Sequence, residues 1–234
     1  GKTADTFVAD LTKTPTFNTV GDFVYDNMDE FKIDENDAFV AGAVPHFVNY
    51  TEDIYVGYRF YETAAAEGAI NYDEEVVYPF GYGLSYTEFD EKMGDLQEEN
   101  GKISVDITIT NIGDVAGKQV AELYYNPPYT NGGIEKASTN LAAFDKTDLL
   151  EPGESQTLTL SFNIEDMASY DYQNEKAYVL EAGNYGISLQ TDSHTVVDTK
   201  VYTVDDEVVY NNDNKRSTDK VTASNAFDFA EGDI

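Results

Sequence analysis

Between residues 103 and 204 apolar and polar positions alternate with a period of two. Ile103, Val105, Ile107 and Ile109 interleave with Ser104, Asp106, Thr108 and Thr110, the pattern of a half-buried strand with one wet face. A turn is expected at Asn111-Ile112-Gly113-Asp114. A second strand is expected over 120–125, stopped by Pro127-Pro128, because proline cannot donate to a ladder. After the turn Glu151-Pro152-Gly153-Glu154, Leu158, Leu160 and Phe162 alternate again. Tyr178 and Leu180 precede the turn Ala182-Gly183-Asn184, and Tyr185, Ile187 and Leu189 alternate beyond it. A further strand is expected over 197–204. Short alternating strands split by Gly, Pro and Asn turns predict a two-sheet antiparallel sandwich, immunoglobulin-like, over 101–204.

The remainder is less periodic. Residues 1–45 are turn-rich, with loops expected at 10–15 and 34–37. Phe7, Phe17, Phe23, Tyr25, Phe31 and Phe39 recur without a period, as in a segment that packs onto a larger body. Two aromatic runs lie within 50–89, with a polar spacer at 64–75 between them. The charged stretch 90–100 ends in Asn100-Gly101, a turn signal and the expected domain boundary. Residues 126–150 interrupt the sandwich with a flexible Pro/Gly-rich part and an apolar patch at 141–144, the kind of long loop that often docks or functions. Residues 205–234 read as an acidic linker.

Charge changes the picture most. Forty-five acidic residues against 14 basic ones leave a net charge of −31. Nucleic acid and anionic membrane surfaces both need a basic footprint, so neither is an expected partner. No Asp-x-Asp-x-Asp-Gly loop suggests calcium, and solubility is the plainer reading of the acidity. There are no cysteines, which removes disulfides, thiolate metal sites and cysteine nucleophiles. A soluble protein is expected, bacterial, with cytoplasm and exterior both open. The chain opens on Gly1, as an excised fragment would.

Candidate chemistry is sparse. His46 and His194 are the only histidines; neither sits in a recognisable triad or zinc constellation, and both read as structural or exposed. No metal site, no cofactor and no catalytic residue is expected in this chain. Arg59 is one of two arginines and lies among Tyr55, Tyr58, Phe60 and Tyr61. An arginine so placed pairs bidentately with a carboxylate or stacks on a ring. A structural ion pair between domains is the reading preferred over contact with sugar. The 18 tyrosines without a single tryptophan suit core and interface packing better than a saccharide platform.

The runs Tyr55-Val56-Gly57-Tyr58-Arg59-Phe60-Tyr61 and Tyr78-Pro79-Phe80-Gly81-Tyr82-Gly83-Leu84-Ser85-Tyr86-Thr87-Glu88-Phe89 resemble glycoside hydrolase family 3, the β-glucosidase-like enzymes, in content and spacing. Asp53 stands where many members carry glycine. The opening Gly1-Lys2-Thr3-Ala4-Asp5-Thr6-Phe7 is similar to the end of that family's α/β sandwich domain, and 101–204 to the fibronectin type III-like domain after it. Thr222 to Asp233 resembles the junction in circularly permuted members, in which the barrel follows.

The resemblance implies a fold that is mainly β: a fibronectin III-like antiparallel sandwich preceded by an incomplete α/β segment, 1–90. It implies a parent that cleaves terminal β-glucosides with retention, with catalytic carboxylates on domains outside this chain. The family's nucleophile lies in a Ser-Asp-Trp context, and the chain has no tryptophan. The expected partners are the parent's remaining domains and, for the parent, a β-glucoside or oligosaccharide. Arg59, Tyr58, Phe80 and Tyr86 are the expected seam residues; no substrate-binding residue is assigned. The alternative is an autonomous carbohydrate- or protein-binding sandwich, in which Tyr129 would be a contact.

Overall fold

The computed structural model describes residues 1–19 and 47–223. Phe23, Tyr25, Phe31, Phe39, His46, the loop expected at 34–37 and the tail from Ser224 onward lie outside the described residues.

The N-terminal part supplies β1 (Phe7–Val8), helix α1 (Tyr58–Ala66), the short helix α2 (Tyr72–Glu75) and β2 (Val76–Tyr78). β1 and β2 pair antiparallel, Phe7 opposite Tyr78. Thr63-Ala64-Ala65-Ala66 favours helix through its alanines, and α1 ends as Gly68 enters the left-handed region at φ 69°, a common way to close a helix. The stretch 64–75, expected as a polar spacer, is thus the end of one helix and the whole of another.

The sandwich follows as β3 (Phe89–Met93), β4 (Gln97–Glu99), β5 (Lys102–Asn111), β6 (Val120–Asn126), β7 (Asn140–Lys146), β8 (Ser155–Asn163), β9 (Ser169–Asp171), β10 (Ala177–Leu180), β11 (Gly183–Gln190), β12 (Val196–Val204) and β13 (Val208–Tyr210). All pairings are antiparallel. β3 and β4 share one edge of β5, and β8 takes the other. The second sheet runs β12-β11-β6-β7, and β13-β10-β9 forms a small third sheet. The chain is mainly β, as the alternation predicts. Ile103, Val105, Ile107 and Ile109 face inward, at most 1% exposed. Across the ladder Phe162, Leu160 and Leu158 stand opposite Ile103, Val105 and Ile107. They meet Ala121, Leu123, Tyr185, Ile187 and Leu189 from the second sheet in one core.

Three stretches differ from their sequence reading. The charged run 90–100 is no boundary: it holds β3 and β4, and Asn100 (φ 53°) with Gly101 (φ 75°) makes the two-residue hairpin loop from β4 to β5. Two consecutive left-handed residues are the geometry that an Asn-Gly pair favours between twisted strands. Within the loop at 126–150, residues 140–146 form β7 and pair with β6. In the tail, β13 pairs with β10. Arg216 then lies 3.7 Å over the Tyr178 ring and pairs with Asp219 through two nitrogens, at 2.8 and 3.1 Å. Residues 205–219 are therefore bound to the sandwich and are not a free linker.

The two central strands of the second sheet, β6 and β11, are buried on both faces, while its edge strands β12 and β7 carry exposed residues. Ala121 and Leu123 of β6 point into the core, yet Glu122 and Tyr124, which point the other way, are 4% and 0% exposed. Ser188 and Gln190 of β11 are equally dry on that face. The N-terminal part covers them. No described helix is long and apolar enough to cross a membrane.

Truncating Ile107 to alanine leaves a cavity where two sheets meet, and costs about 2–5 kcal/mol. Urea unfolding followed by circular dichroism measures it; a loss below about 1 kcal/mol contradicts the placement of this core.

Candidate functional site at the seam

The second aromatic run forms the contact between the N-terminal part and the sandwich. Gly1 to Thr3 runs beside 79–83: Thr3 N–H donates to the Tyr82 carbonyl at 2.7 Å, and Gly81 N–H to the Thr3 carbonyl at 2.9 Å. Gly81 sits at φ 81°, and a Cβ there would lie 2.4 Å from Glu122 Oε2. Glycine is needed for both the backbone and the space. Further along, Thr87 donates its hydroxyl to Asn111 Oδ1 at 2.7 Å. The buried Asn111 also accepts from Gly113 N–H and donates to the carbonyls of Val115 and Leu150. All its polar capacity is used, so the run is riveted to the first sheet.

Three carboxylates are enclosed at this seam. Glu122 accepts from Tyr124 Oη at 2.8 Å and pairs with Lys2 Nζ at 3.4 Å. Lys2 also donates to the Thr191 carbonyl in the β11–β12 turn. Glu91 accepts from Gln119 Nε2 at 2.6 Å, while its Oε2 is buried without a partner. Glu62 of α1 accepts from Tyr72 Oη at 2.7 Å and Ser193 Oγ at 3.0 Å, and its Oε2 lies 2.9 Å from His194 Nδ1. The His194 ring stacks on Tyr72 at 3.6 Å and 7°. Burial pushes all three carboxyls above the ordinary range. Hydrogen bonds and the neighbouring Lys2 and His194 side chains pull them part of the way back.

The expected seam residues divide. Tyr58 stacks on Phe80 at 4.9 Å, meets Tyr124 edge-on at 6.1 Å and accepts from Leu141 N–H at 2.9 Å. The Phe80 carbonyl accepts from Ser193 N–H at 2.8 Å. Arg59 lies beside Tyr125, whose hydroxyl burial pushes up to about 12 despite that charge. The Nε of Arg59 is buried without a hydrogen bond. Tyr86 is 99% exposed and, among the described residues, joins nothing at the seam. Sequence reasoning missed Lys2, Glu62, Glu91 and Glu122. Only Glu122 carried a signal: a carboxylate between Ala121 and Leu123, two residues before a tyrosine in the same polar register.

Raised carboxyls often mark catalytic sites. Glycoside hydrolysis, however, needs two carboxylates facing each other across an open substrate gap. Here Glu122 and Glu62 are enclosed against Lys2, Ser193 and His194, and those contacts hold two parts of the chain together. Among the described residues no cluster of His and acidic side chains could hold a metal.

This is a fibronectin-type sandwich fastened to a short helical N-terminal part, and residues 119–193 match the fibronectin type III-like domain family. β-Glucosidase A of Butyrivibrio fibrisolvens is 44% identical over 173 residues, covering 66% of this chain and 20% of that protein. A β-glucosidase of Ruminococcus albus is 38% identical over 160 residues, 67% of this chain and 16% of its own length. The structure of β-glucosidase 3B from Thermotoga neapolitana superposes with a TM-score of 0.68 at 32% identity, covering 90% of this chain and 25% of that one. The chain is similar to a structural portion of the glycoside hydrolase family 3 β-glucosidases and spans about a fifth of the length of the curated relatives it matches.

Replacing Lys2 by methionine strips Glu122 of its cation. Breaking one side of a buried pair costs about 3–5 kcal/mol, and we expect the lower end, because Glu122 can take up a proton. The double variant Lys2→Met/Glu122→Gln recovers most of the loss; no recovery in chemical denaturation removes the pair from the seam's support.

Folded carboxyls raised above their unfolded values favour the protonated native state, so their stabilising effect is full at low pH and fades as pH rises. In about 0.5 M salt, which screens the net charge over distances beyond roughly 5 Å, the thermal midpoint rises as pH falls from 7 to about 5. Glu91→Gln flattens the rise. A midpoint that stays level or falls contradicts the enclosed carboxylates.

Proposed function

We propose that this chain is the non-catalytic scaffold of a β-glucosidase-like enzyme that removes terminal β-glucosyl units with retention. Residues up to about 90 would close the parent's α/β domain, the sandwich would brace it, and the catalytic carboxylates would lie on domains outside this chain. One observation carries the reading: Glu122 through Lys2, and Glu62 through Ser193 and His194, are occupied in joining the two parts. The β-glucosidase names of the relatives support the parent's reaction. The substrate of that parent would be a β-glucoside or a short oligosaccharide.

The purified chain is expected to release no aryl alcohol from an aryl β-glucoside above the buffer rate. Turnover that survives purification and scales with protein concentration refutes the scaffold role.

A further inference from the structure

The segment Gly83-Leu84-Ser85-Tyr86 presents its large side chains outward. Leu84 is 82% exposed and Tyr86 is 99% exposed. The segment is nevertheless tied at both ends. Gly81 and Tyr82 are bonded to Thr3, and Thr87 to Asn111. A Cβ on Gly83 would stand 2.7 Å from the Gly1 carbonyl. Two large apolar side chains held out to water on an anchored backbone are costly unless something covers them.

The segment forms a ridge between two hollows. One, of about 510 Å³, is walled by Phe7, Tyr78, Tyr82 and Leu84, and Phe7 and Tyr78 are themselves about half exposed. The other, of about 540 Å³, lies between Tyr86 and the ends of β6 and β7, and Lys118 and Lys146 line it. Among the described residues neither lysine has an ion-pair partner. The acidic residue on that lining, Asp192, is occupied by the amides of His194 and Thr195. Two unpaired ammonium groups on a chain of net charge −31 leave a local positive spot beside an apolar ridge.

We propose that this ridge docks a segment of the same polypeptide outside this chain, one that offers apolar side chains to Leu84 and Tyr86 and a carboxylate to Lys118 and Lys146. The inference rests on the reading of the chain as part of a larger family 3 enzyme. The relatives supply the covering mass, since the chain spans about a fifth of them. The surface is also continuous with the seam through Gly81 to Gly83. A second copy of this chain is a poor occupant, because two bodies of charge −31 repel.

The test compares the isolated chain with the longer polypeptide that carries it. Hydrogen exchange of 83–86 is expected to be at least tenfold slower in the longer polypeptide. Leu84→Asp/Tyr86→Asp should leave the thermal midpoint of the isolated chain unchanged and lower that of the longer one by several degrees. Lys118→Glu/Lys146→Glu should abolish the exchange protection in part. Equal exchange in both proteins overturns the docking. So does dimerisation of the isolated chain at micromolar concentration that Tyr86→Asp abolishes, or saturable heat with cello-oligosaccharides that it removes. Protection without glucoside hydrolysis by the longer protein keeps the docking and refutes the assigned reaction. Hydrolysis without protection does the reverse.

Discussion

The central strands of the second sheet, β6 and β11, have no wet face, and the rest of the structure depends on keeping them dry. Glu122 and Tyr124 would be ordinary outward residues in a free-standing sandwich. Covered by Gly81 and paired with Lys2, they become an enclosed polar layer. An enclosed carboxylate without its partner is far more expensive than an exposed one. The sandwich and the N-terminal part are therefore complementary halves of one polar interface, and neither half is at its best alone.

The fold was legible where one face of a strand meets the core. Ile103 to Ile109 and Leu158 to Phe162 announce their sides by alternation, and the structure pairs them in register. Alternation fails where both faces are buried but one is polar. Glu122, Ser188 and Gln190 read as solvent-facing because period-two patterning records polarity and not dryness. The run 90–100 misled for a related reason. Its charges suit an edge ribbon as well as a linker, and Asn100-Gly101 turns a hairpin as readily as it ends a domain.

The site was legible only in part. Tyr58 and Phe80 stood out because aromatic side chains in a long family-like run usually pack on something. Lys2 could not stand out: its partners, Glu122 and Thr191, are brought near by topology alone. Arg59 drew attention through rarity, yet the anchor at the seam is a lysine, which reaches Glu122 along a flexible stem.

The contact between Lys2 and Thr191 spans 189 positions. At typical synthesis rates of about 5–20 residues per second, the later partner emerges roughly 10–40 s after the earlier one. During that interval the N-terminal part has neither Glu122 nor the β11–β12 turn to rest on for long. Its tyrosines and phenylalanines stay open to solvent while the sandwich is still being made. The dense negative charge then acts as a temporary guard, keeping nascent chains apart until the last strands arrive and the interface can shut.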